Sequence, residues 1–417
     1  MDETMKRIVW IAAILAAPLF LTACNRPALV LEEEQEETDN KPAEAIVLTK
    51  AESDINAGVI AFGLDVFSRI NKLDEVKDLF ISPLSLSLAL AMTSAGAQGQ
   101  TEEQMRKMLG FGDVTNAEMA EYYRKMTEAL LSIDPKTTVQ IANSIWTDKG
   151  IRLKDAFVSD VTRYYHSETH SADMSSKATV NAINQWCASH TNNKITKIMD
   201  EDGGGLAVLL INALYFNGIW REKFSETYEG KFKTVSGTGN PVTMMRTTRS
   251  MGYAATDKWR MVQLPYGNGA FVMDLLLPTD EGSFKDAVRS LGAEEWSALA
   301  SAIRSREVNL EFPKFKMEYE ILLNEVLQSL GMTTAFTGGA DFSRMSDTSM
   351  CIDFVKQKTY VDVNEEGTEA AAVTSVGMKV TSVGPSEPIR FIANRPFVFA
   401  IREASTGALL FIGQKTK

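Results

Sequence analysis

The 417-residue sequence is poor in the residues that build disulfide frameworks, metal sites and nucleic-acid surfaces. Three cysteines and three histidines are too few for a disulfide scaffold or a Cys/His zinc array. The 43 basic residues are outnumbered by 54 acidic ones, and the net charge of −11 excludes the basic surface typical of a nucleic-acid-binding protein. With 12 prolines and 45% hydrophobic residues, the composition indicates a globular chain rather than a disordered or collagen-like one.

The common catalytic motifs are also missing: the sequence contains no G-x-S-x-G, no Walker loop and no H-E-x-x-H. His166 and His170 lie four apart on a predicted helix, but no third ligand is near them in sequence, so surface or structural roles are favoured over a metal. Cys187 and Cys351 either pair in an oxidising compartment or remain isolated thiols. We therefore predict a protein that is not an enzyme and that uses no metal or cofactor.

The N-terminus carries an export signal. Lys6 and Arg7 precede an apolar run over 8–21, which is too short for an ordinary membrane span and predicts a signal peptide over 1–23. The ending Leu-Thr-Ala-Cys resembles a bacterial lipobox, which implies that Cys24 is lipidated; a plain signal peptide with an incidental cysteine is the alternative. We expect lipid anchoring in a bacterial cell envelope, at the outer membrane or cell surface.

Residues 24–49 predict an acidic, solvated tether. Seven acidic residues and one basic residue fall between positions 31 and 44, a like-charge run that stays extended. The hydrophobic stretch over 206–216 has 11 residues, which suits a buried strand better than a membrane span.

The body over 50–417 predicts a single α+β domain, because helical patterns come mainly first and strand patterns later. The first helix is expected to begin with Ser53 as its cap, and the segment 84–92 is apolar on all faces, as in a buried helix. Further helices are predicted over 101–110, 116–132, 153–165 and 176–190, and strands over 139–146, 206–216, 271–277, 308–312, 354–363, 389–401 and 408–413.

The segment 364–385 lies between two strand patterns, so it should be a long loop, and long loops in compact domains are usually functional. Yet it alternates like a strand, and Glu369 and Lys379 fall in the set predicted to face solvent. Gly367 supplies a hinge, and short side chains follow it, as expected of a segment that inserts between parting strands. An ordinary exposed loop is the alternative. The uncharged set, predicted to be buried, is Thr368, Ala370, Ala372, Thr374, Val376 and Met378.

The sequence NEEGTEAAAV at 364–373 resembles the proximal hinge of inhibitory serpins. Further resemblances cover roughly 50–417: FISPLSLSLAL at 80–90, ANSIW at 142–146, INQW at 183–186, NALYFNGIW at 212–220, LPY at 264–266, FPKF at 312–315, LGMTTAF at 330–336, ADFS at 340–343 and NRPF at 394–397. With the lipobox, the chain resembles bacterial serpin lipoproteins. The resemblance implies helices packed around three β-sheets, with an exposed reactive-centre loop at about 364–388.

The same resemblance implies a suicide inhibitor of serine proteases, and of cysteine proteases as a further class. In this family a protease cleaves the bait loop, is held as an acyl-enzyme, and is displaced when the loop inserts into the central sheet. The family's loop length places the bait bond at Thr381–Ser382 or one residue later; Thr381 with Val380 suits elastase- or subtilisin-like enzymes, and Lys379 suits trypsin-like ones. A monomer is expected. A non-inhibitory serpin acting as a binding or chaperone module is the alternative.

Five residues match family positions that govern sheet opening. Ser82, Ser85 and Asn184 match a polar group beneath the sheet. Gln357 stands where the family often has histidine, so the pH behaviour of that histidine is not expected here. Trp220 matches a tryptophan near the point where insertion begins.

Overall fold

A computed structural model describes residues 42–199, 206–369 and 387–417. The helices found in these ranges are α1 (Lys50–Leu73), α2 (Pro83–Ala95), α3 (Gly99–Met108), α4 (Asn116–Ser132), α5 (Asp155–Tyr165), α6 (Lys177–His190), α7 (Phe284–Ser290), α8 (Ala293–Ala302) and α9 (Asn324–Ser329). The strands are β1 (Leu79–Ile81), β2 (Thr137–Asp148), β3 (Ser167–Ala172), β4 (Val208–Ile219), β5 (Glu226–Lys233), β6 (Gly239–Ala255), β7 (Trp259–Pro265), β8 (Phe271–Pro278), β9 (Arg304–Pro313), β10 (Phe315–Leu322), β11 (Lys356–Val363), β12 (Gly367–Thr368), β13 (Ile389–Ile392), β14 (Phe397–Glu403) and β15 (Leu409–Lys415).

Two hydrogen-bonded networks contain these strands. One is a six-stranded sheet in the order β10-β11-β12-β4-β2-β3. The other runs β1-β15-β14-β8-β7-β6-β9-β13, with β5 also paired to β6. The long strand β6 pairs with β5 through its first half and with β7 only through its last four residues, so it belongs to two sheets at once. The predicted α+β fold with three sheets is confirmed.

The N-terminal helices follow from local sequence. Helix α1 begins after Thr49, which forms a capping box with Glu52, so the prediction of Ser53 as the cap is wrong by one turn. Helix α2 is buried along almost its whole length, as its apolar faces predict, with Ser82 as its cap and Pro83 in its first turn. It packs against β4 and β15, and so lies between the two strand networks.

The region around the histidines differs from the prediction. His166 ends α5 in a left-handed conformation, and His170 lies in β3, so the two do not share a helix. His170 stacks on Trp146 of the neighbouring strand β2, with ring centroids 4.2 Å apart, which explains the histidine by packing. Among the described residues no group of His, Cys, Asp and Glu side chains is arranged to hold a metal ion.

Cys187 and Cys351 are both free thiols in the described structure, which corresponds to the second of the two alternatives. Cys187 is buried, and burial raises the pKa of its thiol to about 12. Cys351 is exposed.

Residues 42–49, the last part of the predicted tether, are grouped with the body in one compact unit. The Ala43 N–H donates to the carbonyl of Asn268 at 3.4 Å, and the Ile46 N–H donates to Ser405 Oγ at 3.0 Å. Cys24 and the signal segment lie outside the described residues. Within the described ranges no helix is long and apolar enough to cross a membrane.

Candidate functional site

The first residues of the predicted hinge lie inside the six-stranded sheet. Strand β12 pairs antiparallel with β11 on one side and with β4 on the other. Thr368 lies opposite Val363 and Gly218, and Gly367 lies opposite Ile219. A Cβ atom at Gly367 would be 2.1 Å from the carbonyl oxygen of Gly218, so only glycine fits this close approach of two strands.

Thr368 points into the interior of the protein. Its side chain is 2% exposed, and its hydroxyl shares a 2.6 Å hydrogen bond with the hydroxyl of Tyr266. The Tyr266 ring stacks on Trp220 at 4.4 Å between centroids. The Trp220 indole N–H donates to the carbonyl of Asn364, and its backbone N–H donates to the carbonyl of Glu366, both at 2.9 Å. Trp220 therefore holds the chain just before the hinge, next to the site where Thr368 enters the sheet.

Two glutamates just before the hinge form ion pairs with lysines. Glu365 pairs with Lys314 at 2.5 Å, and Glu366 pairs with Lys223. Burial alone would raise the pKa of Glu365, but the Lys314 ammonium outweighs burial and lowers it. These contacts fix the segment that leads into β12.

Glu369 follows the hinge and does not face solvent, contrary to the prediction. Its side chain is 3% exposed, and its carboxylate lies 3.4 Å from the ammonium of Lys194. Burial raises the pKa of this carboxyl, and the Tyr215 hydroxyl and the Lys194 ammonium oppose that effect only in part. Residue alternation does direct Glu369 away from the Thr368 face, but the opposite face is covered here by the chain after α6.

Beyond β12, no described residue pairs with the facing edges of β4 and β11. The register between β12 and β4 ends at Gly218, and that between β12 and β11 ends at Val363, although both outer strands continue beyond these points. A cavity of about 120 Å³ lies where β4 and β11 face each other, and helix α2 contributes to its lining. Ser85, Asn212 and Gln357 are polar members of that lining.

Three of the residues assigned to sheet opening form one hydrogen-bonded group. The Ser82 N–H donates to Gln357 Oε1, and Gln357 Nε2 donates back to the Ser82 carbonyl, both at 2.9 Å. The Ser82 hydroxyl donates to the carbonyl of Leu410 and accepts from the Ser85 N–H. Gln357 thus uses both ends of its amide, which a single histidine nitrogen could not do. The group connects helix α2 to β11 and to β15.

Asn184, assigned to the same group, lies elsewhere. Its amide donates to the carbonyl of Met199 and accepts from the N–H groups of Ile198 and Met199, so it holds the chain that follows α6. The residue that lines the cavity is Asn212 on β4. Its Nδ2 donates to Asn143 at 2.6 Å, while its buried Oδ1 has no hydrogen-bond partner among the described residues. Asn212 is the first residue of the NALYFNGIW motif, but Asn184 also stands in a motif, so the sequence did not distinguish the two.

Several predicted site residues lie outside the described residues: Ala370, Ala372, Thr374, Val376, Met378, Lys379, Val380, Thr381 and Ser382, together with Cys24.

The three-sheet α+β fold, together with the short strand β12 between β4 and β11, defines a class of proteins. Comparison with known proteins identifies that class. The family model described as "Serpin (serine protease inhibitor)" matches residues 57–417. The chain belongs to the serpin family.

Relatives and solved structures agree. Iripin-2 of Ixodes ricinus is 34% identical over 366 residues, which cover 85% of this chain and 91% of that protein. The thermophilic serpin tengpin in its native state superposes with a TM-score of 0.81 at 31% identity, covering 92% of this chain and 98% of tengpin. Tengpin in its latent state gives a TM-score of 0.77 at the same identity, covering 90% and 100%.

Proposed function

We propose that this serpin inhibits proteases by a suicide mechanism in which its cleaved loop inserts into the six-stranded sheet. The observation that carries the proposal is the position of β12, which lies between β4 and β11 next to a cavity that no described residue fills. A strand that continued β12 would satisfy the facing edges of both neighbours. Such completion supplies ladder hydrogen bonds, each contributing about 1 kcal/mol net.

The register of β12 specifies where the inserted residues would lie. Thr368 pairs with Gly218, so continuing antiparallel pairing for ten residues brings position 378 opposite Val208, where β4 begins. The uncharged set predicted from the sequence would then lie on the same side of the sheet as Leu214 and Phe216 of β4, which belong to the main hydrophobic core. The length of β4 thus matches the length of the uncharged alternation.

The same register brings Thr374 to the polar group. Thr374 is six residues after Thr368, Asn212 is six before Gly218, and Gln357 is six before Val363. In the inserted state the Thr374 hydroxyl would lie between Asn212 and Gln357, both of which line the cavity. Asn212 Oδ1 is buried without a partner, and a hydroxyl donor at this position would satisfy it.

The chemistry of trapping requires a nucleophilic protease. The protease serine or cysteine attacks the bait carbonyl, an ester or thioester forms, and the new amino terminus leaves. Insertion then competes with hydrolysis of that bond by water. We place the bait bond at Thr381–Ser382 or Ser382–Val383, with Lys379 and Val380 as alternates, and propose elastase-, subtilisin- and trypsin-like enzymes as targets, with cysteine proteases as a further class.

Incubation with a panel of such proteases tests the proposal. We expect a covalent complex that survives boiling in SDS, with the acyl bond mapped by mass spectrometry between Met378 and Val383. If every protease only cuts the loop and stays active, the inhibitor proposal is wrong and the binding or chaperone alternative is favoured.

We also propose that the protein is held at the bacterial cell envelope by lipid on Cys24, because the segment before it has the length and charge of an export signal. Cys24→Ala should move the protein from the membrane fraction to the soluble fraction, measured by fractionation and immunoblotting. A variant that remains wholly membrane-bound would show that another attachment exists.

A further inference from the structure

We infer that Lys194 is a positioning residue that holds the hinge two residues into the sheet, by pairing with Glu369. The inference rests on the proposed loop-insertion function and adds a residue that sets how readily the hinge leaves its resting position. Lys194 lies in the segment between α6 and β4, and the described residues of this segment form no strand.

Three glutamates lie around the hinge: Glu365, Glu366 and Glu369. Only Glu369 must move when the hinge inserts further or withdraws. Glu365 and Glu366 precede Gly367, so their lysine partners hold the side of the hinge that stays in place. Glu369 follows Thr368, so it lies on the side that any further insertion or withdrawal would carry away. Its pairing with Lys194 therefore opposes both movements.

The backbone conformation of Glu369 is specific to the resting position of the hinge. Its φ is 61°, a left-handed value that glutamate rarely adopts and that a continuing strand does not use. Its N–H still donates to the carbonyl of Asp362 at 2.8 Å, so the chain turns out of the sheet at this residue. When φ changes to an extended value, the Cβ atom rotates about the N–Cα bond and the carboxylate must leave its present site.

The surroundings make Lys194 the cation that compensates Glu369. The facing groups are Tyr215 of β4 and Tyr360 and Asp362 of β11, and Asp362 pairs with Lys316 at 2.8 Å. Lys194 is itself held over the Tyr360 ring at 4.9 Å. Without Lys194 the Glu369 carboxylate would remain buried beside another carboxylate, with the Tyr215 hydroxyl to stabilise it but no cation beside it. That arrangement raises the free energy of the resting hinge and lowers the barrier to leaving it.

The test uses hydrogen exchange in the uncleaved protein without any protease. In Lys194→Met, peptides that include the Glu369 amide should exchange about tenfold faster than in the parent. The same variant, warmed below its unfolding temperature, should convert faster to a loop-inserted form detected by its resistance to urea. Lys194→Arg keeps the charge and should behave like the parent.

Two further variants separate the pairing from a general loss of structure. Lys314→Met removes a lysine of matched exposure, 31% against 33%, from the side of the hinge that does not move, and should leave exchange at Glu369 unchanged. Lys194→Met combined with Glu369→Gln removes the buried charge and should restore slow exchange.

The inference is overturned if Lys194→Met exchanges like the parent, if Lys314→Met has the same effect, or if Glu369→Gln does not rescue. Because exchange is measured without protease, failure here is distinguishable from failure to trap a protease, which would count against the proposed function instead.

Discussion

The two strand networks of the molecule differ in how completely they are paired. In the larger one, all residues of β8 and β14 are buried, and pairing runs without interruption from β1 to β13. A buried ion pair between Arg402 and Asp274, at 2.6 Å, links these two strands. In the six-stranded sheet, β12 occupies two residues between β4 and β11 and a cavity follows.

Under the proposed function, this difference predicts that the free energy gained on loop cleavage comes from the six-stranded sheet. In the larger network the central strands β8 and β14 each have a partner strand on both sides, so loop cleavage is not expected to add pairing there. In the six-stranded sheet the strands β4 and β11 extend beyond their pairing with β12, and the proposed function assigns their facing edges to the loop that follows β12. Each of the following predictions tests whether the gains and losses of stability are confined to the six-stranded sheet.

The largest effect is expected from Thr368→Arg, which should turn the inhibitor into a substrate. The hydroxyl of Thr368 contacts Tyr266 at a site that is 2% exposed, and an unpaired guanidinium there costs on the order of several kcal/mol. Moles of inhibitor consumed per mole of protease inactivated should rise at least about tenfold. Thr368→Val is the matched control, because it keeps shape without charge and should still trap protease. Equal behaviour of the two variants would contradict the buried-face assignment.

Next in size is the effect of loop cleavage on the parent protein. A cut between positions 379 and 382 should raise the melting temperature by at least about 10 °C, since new ladder hydrogen bonds form on both edges of the opening. Differential scanning calorimetry before and after the cut measures it. The cleaved Thr368→Arg protein should show little or no rise. A parent protein that melts no higher after a clean cut would mean that the opening is not filled.

A smaller effect, about 1 kcal/mol, is expected from Thr374→Val in the cleaved protein, where the hydroxyl is proposed to meet Asn212. The uncleaved protein should lose much less, as judged by urea unfolding of both forms. The control comes from the larger network, where Asn309 Nδ2 donates to Thr248 Oγ1 at 2.8 Å. Asn309→Ala should destabilise the cleaved and uncleaved forms alike; a similar pattern for Thr374→Val would contradict the register.

The smallest expected effect is on the pH dependence of stability, which should have opposite signs for Glu369 and Glu365. The pKa of Glu369 is raised by burial, so its charge penalises the folded state at neutral pH, and stability should increase as pH falls from the raised pKa towards the ordinary glutamate value. Glu369→Gln should therefore be slightly more stable than the parent at pH 7 and equal to it in acid. The pKa of Glu365 is lowered, so Glu365→Gln should instead lose stability at pH 7 and approach the parent as pH falls through that lower pKa. Thermal melts across pH 3–8 measure both differences, and parallel curves would contradict the assignment.

Local patterns predicted much of the fold. Helix α4 is found over the predicted residues 116–132, and α2 is buried on all sides as its uniform apolarity indicates. Patterns failed where packing decides conformation. The segment with His170 reads as helical but pairs in parallel with β2, because the Trp146 ring offers the imidazole a stacking surface that no local signal records.

At the candidate site, too, local patterns predicted some features and packing decided others. Period-two alternation is a local property, so the sequence alone directed Thr368 to one face of the sheet and Glu369 to the other. Whether a face meets water depends on what a distant segment covers, and Lys194 lies 175 positions before Glu369, so the burial of this glutamate was decided by tertiary structure. The choice between Asn184 and Asn212 was decided similarly: both are asparagines within recognisable motifs, but only the arrangement of β4 across from β11 brings Asn212 into the wall of the opening. Local patterns in the sequence were enough to predict several elements, such as α4, and the family, because both are recorded in short stretches of the chain. The tertiary structure decided which charges are buried and where the cavity lies, because both depend on contacts between segments far apart in the chain.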